Sequence, residues 1–328
     1  VFSYCFGCRS DDIQPEYMGF YVPVTHKVGE NIDNPFEAEY IIQSILMQPN
    51  TKTMFNMKFD INFIRSMELE IAGELDDAML LMFLRNENEP SHRLKALSKK
   101  YLDTGADDEE KIIKGYMKQY KCPNYSYIPT HLLGPYGAKD AAITLALWDF
   151  GADSFITEAQ SQIKDGVRKD IYLREREFCL FATEMERAGF PIDVGVLQEI
   201  APVVKDAKDN LALEIFTVAG TEFNPGSNQA VNRILVDKMG FTPTKMSAKT
   251  GEPAWDKAQL LKLEHPIGEM IACWRNLEHN ESSFILPLQE WAVVNNDSQP
   301  MIYSSYNQIG ARTGRASASE PNLQQIPT

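Results

Sequence analysis

The sequence lacks any window of eighteen uninterrupted apolar residues, so nothing in it reads as a membrane-spanning helix. It lacks an initiator Met, and its start, "VFSYCFGCRSDD", lacks the charged-then-apolar order of a secretory signal. The expectation is a cytoplasmic chain whose first residue is not the natural one. Cysteine is scarce. Cys5, Cys8, Cys122, Cys179 and Cys273 form an odd, scattered set that argues against a disulfide framework and suits a reducing compartment. Cys5 and Cys8 spell C-x-x-C, but no second close pair of Cys or His completes a zinc site, so both are expected as buried thiols at the end of a strand. Internal repeats and low-complexity tracts are missing as well.

An excess of positive charge is also absent. The net charge is -14. Residues 1–150 carry 15 Lys+Arg against 22 Asp+Glu, and residues 151–328 carry 17 against 24, so each half is -7 and no basic domain hides in an acidic average. Any contact with nucleic acid has to come from local arginines and metal-neutralised carboxylates.

What is present is a chain of 328 residues, 44% apolar, long enough for two domains. "VFSYCF" and "MGFYVPV" read as strands, "NPFEAEYIIQSILMQ" as a helix, "KTMF" as a strand, and a further helix follows from about Asn56. After a loop-rich middle, "LRNENEPSHR" and "YKCPNYSYIPTHLLGP", an alanine-rich helix is expected from Pro135 to about Phe150, closed by Gly151. This α/β order sets a first domain at 1–152 and a mostly helical second one at 153–328. In the latter, "VRKDIYLREREFCLFATEMERAG" predicts a helix ending at Gly189. Asp193 predicts the cap of a helix ending at Gly220, and Ser227 or Asn228 caps the next. "PMIYSSYNQ" is β-like.

Two acids fall on apolar faces. In the helix after Pro135, Tyr136, Asp140, Ile143 and Leu147 share one side. If Asn56 caps the earlier helix, Asp60, Phe63, Ile64 and Met67 do the same. A carboxylate carried toward a core costs several kcal/mol unless it meets a cation or donors. One reading ties each acid to a neighbouring cap or arginine. The other gives both to a shared metal site, in which two divalent ions about 4 Å apart activate a water and stabilise a leaving oxygen, with the Tyr136 hydroxyl orienting that water.

"NMKFD" (Asn56 to Asp60) and "YGAKD" (Tyr136 to Asp140) resemble the second and third motifs of the proofreading 3'-5' exonuclease domain of family A DNA polymerases, with "LDDAML" between them where that family has a helix. "ERAGFPID", "FNPGSNQAVNRILVDKMG" and "WRNLEHNESSF" are similar to its thumb and to the helix leading to its palm. "YSSYNQIGARTGRASASEPNLQQIP" is close to its T-G-R-L-S-S-x-x-P-N-L-Q-N-I-P signature, with Ala316, Ala318 and Gln325 departing from the usual residues and His279 and Glu281 standing where lysines are common.

The resemblance implies a ribonuclease H-like α/β exonuclease domain, followed by a mostly helical thumb and the beginning of a palm. It implies Asp60, Tyr136 and Asp140 as catalytic residues, Asp60 and Asp140 as ligands of two Mg2+ or Mn2+ ions, and primer-template DNA, single-stranded 3' ends and deoxynucleotides as partners of a monomer. Arg315 is expected in a duplex minor groove, whose acceptors every correct pair offers. Asn56, Arg275, Arg312, Asn322, Gln324 and Gln325 are the other candidate DNA contacts.

The family's first exonuclease motif, Asp-x-Glu on a strand, has no counterpart here. Glu37-Ala-Glu39 falls in a helix, and the "DDEE" run from Asp107 to Glu110 looks solvated. The expectation is a piece of a longer polymerase, with those acids upstream of Val1 and the palm carboxylates beyond Thr328. A stand-alone 3'-5' exonuclease acting on DNA or RNA would share Asp60, Tyr136 and Asp140 without needing the Thr-Gly-Arg segment. A non-catalytic DNA-binding protein would keep the arginines and dispense with the acids.

Overall fold

The computed structural model describes residues 3–10, 16–102, 108–153, 165–248, 250–294, 299–311 and 313–326. The chain divides into two units, Val1–Arg187 with Gln308–Ala316, and Ala188–Asn307 with Ser317–Thr328.

In the first unit, β1 (Ser3–Ser10) and β2 (Glu16–Pro23) pair antiparallel with Gly7 opposite Gly19. The α1 helix (Pro35–Leu46) opens on a proline, which gives up no hydrogen bond at that position, and buries Ala38, Ile42 and Leu46 one above another. Strands β3 (Lys52–Met54) and β4 (Leu75–Asp77) are parallel, with α2 (Met57–Ser66) in the connection between them. The buried stripe of α2 is Met57, Ile61 and Ile64. Phe63, expected on that stripe, is 46% exposed and pairs with the exposed Phe59 ring at 5.3 Å. Asp60 therefore flanks the buried stripe instead of lying within it.

Beyond α3 (Ala78–Arg85), two helices, α4 (Leu94–Tyr101) and α5 (Asp108–Tyr120), lie between the two stretches read as loops. Their inward edges are Leu94, Leu97 and Tyr101 in one and Ile113, Tyr116 and Met117 in the other. The α6 helix (Thr130–Gly151) begins before Pro135, with Pro129 just outside it. Pro135 lies inside, leaving the His131 carbonyl without its usual N–H partner. A Cβ on Gly19 would come 1.8 Å from the Ala138 carbonyl oxygen, so this strand needs a bare backbone to lie against α6. The α7 helix (Asp165–Ala188) places Tyr172 in a core with Leu80 and Leu81, against which Ile309 also packs.

In the second unit, β5 (Phe190–Pro191) precedes α8 (Val194–Ala219). Asp193 caps α8, accepting from the Val196 N–H at 3.1 Å, and Gly220 ends it at φ 64°, as expected. The Ser227 hydroxyl starts α9 (Asn228–Asn232), which widens into π-helical turns over Arg233–Lys238. The short α10 (Lys257–Leu260) is followed by α11 (Pro266–Asn280), by π-helical turns over Glu281–Ile285 and by α12 (Leu286–Trp291). Ile215, Val231, Leu235, Trp255, Leu260, Ile267 and Ile271 form one buried core, each large side chain contributing roughly 1.5–3 kcal/mol. Asn228 and Asn232, one turn apart, hold the following loop. The Asn228 side chain takes the Trp255 N–H and donates to the Pro253 carbonyl, and Asn232 accepts from the Trp255 indole. Strand β6 (Met301–Ile302) pairs with β5, and β7 (Ser305–Asn307) with β8 (Ser317–Ser319). No helix among the described residues is long and apolar enough to cross a membrane.

Candidate active site and nucleic-acid contacts

Asn56 stands at the N-cap position of α2 in the left-handed region, φ 64°, but its side chain makes no cap bond, contrary to the expectation from the sequence. Asp77 does that work from twenty-one residues away. Its Oδ1 accepts from the Asn56 N–H at 3.0 Å and its Oδ2 from the Met57 N–H at 2.9 Å. The same carboxylate caps α3 through the N–H groups of Met79 and Leu80. Asp77 is 2% exposed, and burial pushes its carboxyl above the usual range against the pull of those four donors. Asp76 beside it accepts from the Tyr172 hydroxyl at 2.9 Å and pairs with Arg176. The sequence signal for Asp77 is an acid directly before an apolar helical run, "LDDAML".

Asp60 lies on α2 one turn beyond Asn56. Burial, with the Asp77 charge adding to it, pushes its carboxyl up to about 7. Among the described residues no hydrogen bond or ion pair to its side chain is formed, so an ionised Asp60 is a half-buried anion in want of a cation.

Tyr136 and Asp140 are brought together on α6, one turn apart. Burial, with the Asp140 charge one turn away adding to it, raises the Tyr136 phenol's pKa. Asp140 is raised by burial and drawn back down by Lys95, whose ammonium forms an ion pair with Oδ1. The same ammonium lies 4.6 Å from the centroid of the Tyr136 ring. These groups line a cleft of about 470 Å³ with Ser91, Arg93, Lys99, Glu110 and Lys114. Asp60 is not among that cleft's lining residues. Of the acidic run expected to be solvated, Asp107 lies outside the described residues, and the last two acids have partners. Glu109 accepts from Lys139 at 2.8 Å, and Glu110 pairs with Lys114. Lys95 went unnoticed in the sequence, where its signal is a cation at the start of a helix.

Carboxylate oxygens are the donors that hard divalent cations prefer. The Lys95 ammonium on Asp140 and the unpaired state of Asp60 both fit a site built to meet positive charge. Among the described residues no three His, Cys, Asp or Glu side chains cluster closely enough to enclose an ion by themselves.

Of the other candidate contacts, Arg315 is exposed. It follows Gly314, whose φ of 70° favours glycine and whose N–H meets the Ala311 carbonyl at 3.1 Å. Arg312 lies outside the described residues. Asn322 caps a short 3-10 turn by accepting from the Gln324 N–H, and Gln324 Oε1 accepts from the Ala318 N–H at 3.2 Å, so both amides shape their own loop. Gln325 is exposed. Arg275, expected to grip DNA, is turned inward. Its Nε donates to the Pro225 carbonyl at 2.7 Å and its Nη1 to the Trp255 carbonyl at 2.5 Å, while burial lowers its pKa. Glu281 is buried and pairs with Lys208.

Residues 8–150 match the 3'-5' exonuclease family and residues 195–328 match DNA polymerase family A. The DNA polymerase of Escherichia phage T5 is 28% identical over 88% of this chain and 36% of its own length. DNA polymerase I of Pseudomonas aeruginosa is 29% identical over 94% of the chain and 33% of its own length. The thermostable DNA polymerase I of Thermus aquaticus is 33% identical over 47% of the chain and 18% of its own length. The chain thus spans about a third of the first two relatives and less of the third. Among solved structures, the POL domain of Pol1 from M. smegmatis, in complex with DNA primer-template and dNTP, covers 99% of the chain with a TM-score of 0.72 and 19% identity, over 52% of that chain. These likenesses bear out the α/β exonuclease fold followed by a mostly helical region.

Proposed function

From a chain that belongs to DNA polymerase family A, with an exonuclease segment at 8–150 and a polymerase segment at 195–328, we propose part of a DNA-directed DNA polymerase that proofreads its own 3' ends. Functionally the chain divides into an exonuclease-like domain at 1–152 and the thumb and beginning of the palm at 153–328. The parent acts in replication or repair as a cytoplasmic monomer, on primer-template DNA, single-stranded 3' ends and deoxynucleotides.

Asp60 and Asp140 are the residues that would hold divalent metal, two Mg2+ or Mn2+ ions in the complete site. Such ions supply an activated water and charge neutralisation at the leaving oxygen. Tyr136, one turn from Asp140, orients the attacking water, and the apolar flank of α2 keeps Asp60 out of bulk solvent. Arg315 reaches the minor groove of the primer-template, with Arg312, Asn56, Asn322, Gln324 and Gln325 around the strands. Arg275 serves instead to position the loops carrying Pro225 and Trp255.

The observation that carries this reading is the Tyr136 and Asp140 pair, one turn apart on α6, inside a segment matched to the exonuclease family. The test is magnesium-dependent digestion of a single-stranded 3' end by the intact polymerase. Asp140→Ala and Asp60→Ala are each expected to slow it by on the order of a hundredfold or more. Unchanged digestion in either variant overturns that residue's assignment.

A further inference from the structure

We propose that the cleft beside Tyr136 and Asp140 grips the sugar-phosphate backbone of a single nucleic-acid strand, with Arg93 and Lys99 on one wall and Lys114 on the other. The inference deepens the exonuclease reading, from which it takes only that a strand is brought to this cleft. It assigns the side chains that hold the strand before any chemistry.

Four observations carry it. The chain has a net charge of -14, yet this cleft is lined by four cations, Arg93, Lys95, Lys99 and Lys114, against two carboxylates, Glu110 and Asp140. Both carboxylates are already engaged, Asp140 by Lys95 and Glu110 by Lys114, so the lining suits an anion. Next, the cations stand against the preferences of their own helix. Arg93 holds the N-cap position of α4 and Lys95 lies in a first turn with no acid, where the helix dipole disfavours positive charge. Lys95 and Lys99 are four residues apart, so like charges stack on one face and repel. An anion in the cleft offsets both penalties. Third, Arg93 is exposed, and among the described residues no hydrogen bond or ion pair to its guanidinium is formed. Its planar fork matches two oxygens of one phosphate. Finally, the shape suits a strand. A cleft of about 470 Å³ between α4, α5 and α6 admits one strand and not a duplex, and Leu94 and Tyr136 set apolar surface among the cations for sugar and base.

Because the cations come from two elements, they meet successive phosphates, whereas an isolated phosphate would engage one wall alone. Such contacts carry no sequence information, so a strand of any sequence is held. The grip weakens as salt rises, because each phosphate contact releases counterions that salt drives back.

The test is binding of a fluorescein-labelled single-stranded oligothymidylate to the 328-residue chain, followed by anisotropy in EDTA across a salt series, with no metal and no turnover. Arg93→Gln and Lys99→Gln are each expected to flatten the slope of log affinity against log salt by about 0.7, and so to weaken binding about fivefold at about 0.1 M salt. Arg93→Lys is expected to keep the slope. Lys27→Gln, exposed in the same unit and outside the cleft, is expected to bind as wild type does. Inorganic phosphate at the same total phosphate concentration is expected not to displace the oligonucleotide, and displacement by it would overturn the strand in favour of an isolated phosphate. If Arg93→Gln and Lys99→Gln bind as wild type does while Asp140→Ala slows digestion by the intact polymerase, the grip is overturned and the exonuclease reading stands. If both variants weaken binding but Asp140→Ala leaves digestion unchanged, the grip stands and the exonuclease reading fails. Both residues are exposed, and thermal melts check that each variant is folded.

Discussion

The Asp77 carboxylate joins the start of α2 to the start of α3, taking the Asn56 N–H at 3.0 Å with the oxygen that also takes the Met79 N–H at 2.8 Å. One buried side chain thus satisfies the orphan donors of two helices and fixes where Asp60 stands. Asp77→Ala removes both caps and leaves buried N–H groups unmet, an expected loss of about 2–4 kcal/mol in urea unfolding. Asp77→Asn keeps one acceptor oxygen and should lose less. A wild-type midpoint for Asp77→Ala would show that water caps these helices as well as the carboxylate does.

Asp60 makes stability depend on pH in a direction opposite to that of a salt-bridged acid. Its folded value, about 7, lies above the unfolded value of about 4. Between these values the folded chain holds a proton that the unfolded chain has released. The contribution is full below about pH 4 and is lost as pH rises through 7. In EDTA, wild type should therefore lose stability from pH 5 to pH 8, and Asp60→Asn should flatten that slope. Divalent metal should restore stability to wild type at pH 8 and not to the variant. A slope unchanged by Asp60→Asn would assign the pH dependence to other groups.

Two glycines make a matched pair. Gly19→Ala drives a methyl into the Ala138 carbonyl, where backbone meets backbone and nothing can rotate away. Gly115, exposed in α5, has nothing within 4 Å of an added Cβ. Gly115→Ala should raise stability by roughly 0.5–1 kcal/mol through helix propensity. Gly19→Ala should cost several kcal/mol or prevent folding, with the loss read from thermal melts of the two variants. Equal melting temperatures for both would show that the strand pair does not lie against α6 in solution.

Local chemistry was legible and distant pairing was not. Asp193, Ser227 and Gly220 announced helix ends because a cap acts within three or four residues of itself. Tyr136 and Asp140 were legible for the same reason, being one turn apart. The partner of Asp140 is forty-five residues upstream on another helix, so Lys95 gave no sign. Asp77 was read as part of a helix motif, while its hold on Asn56 crosses a whole βαβ connection. Phe63 was misplaced because two apolar stripes could be drawn on α2, and only the surrounding core selects Met57, Ile61 and Ile64. Arg275 was a candidate DNA contact through the resemblance, whereas its carbonyl partners come from loops twenty and fifty residues away.

That difference between the two arginines separates structure from binding. Arg275→Ala leaves the Pro225 and Trp255 carbonyls without a donor and should lower the melting temperature, with an expected loss of about 1–3 kcal/mol. Arg315 is exposed, so Arg315→Ala should leave the melt within about 0.5 kcal/mol of wild type. On the intact polymerase, Arg315→Ala should weaken primer-template binding by about 1–3 kcal/mol and slow extension from matched and mismatched ends alike, because the lost contact grips the duplex without reading its sequence. Binding is measured by fluorescence anisotropy at fixed salt, since phosphate contacts alone would shift with ionic strength. If Arg315→Ala binds and extends as wild type does, the arginine is a solvated loop residue and the duplex is gripped elsewhere.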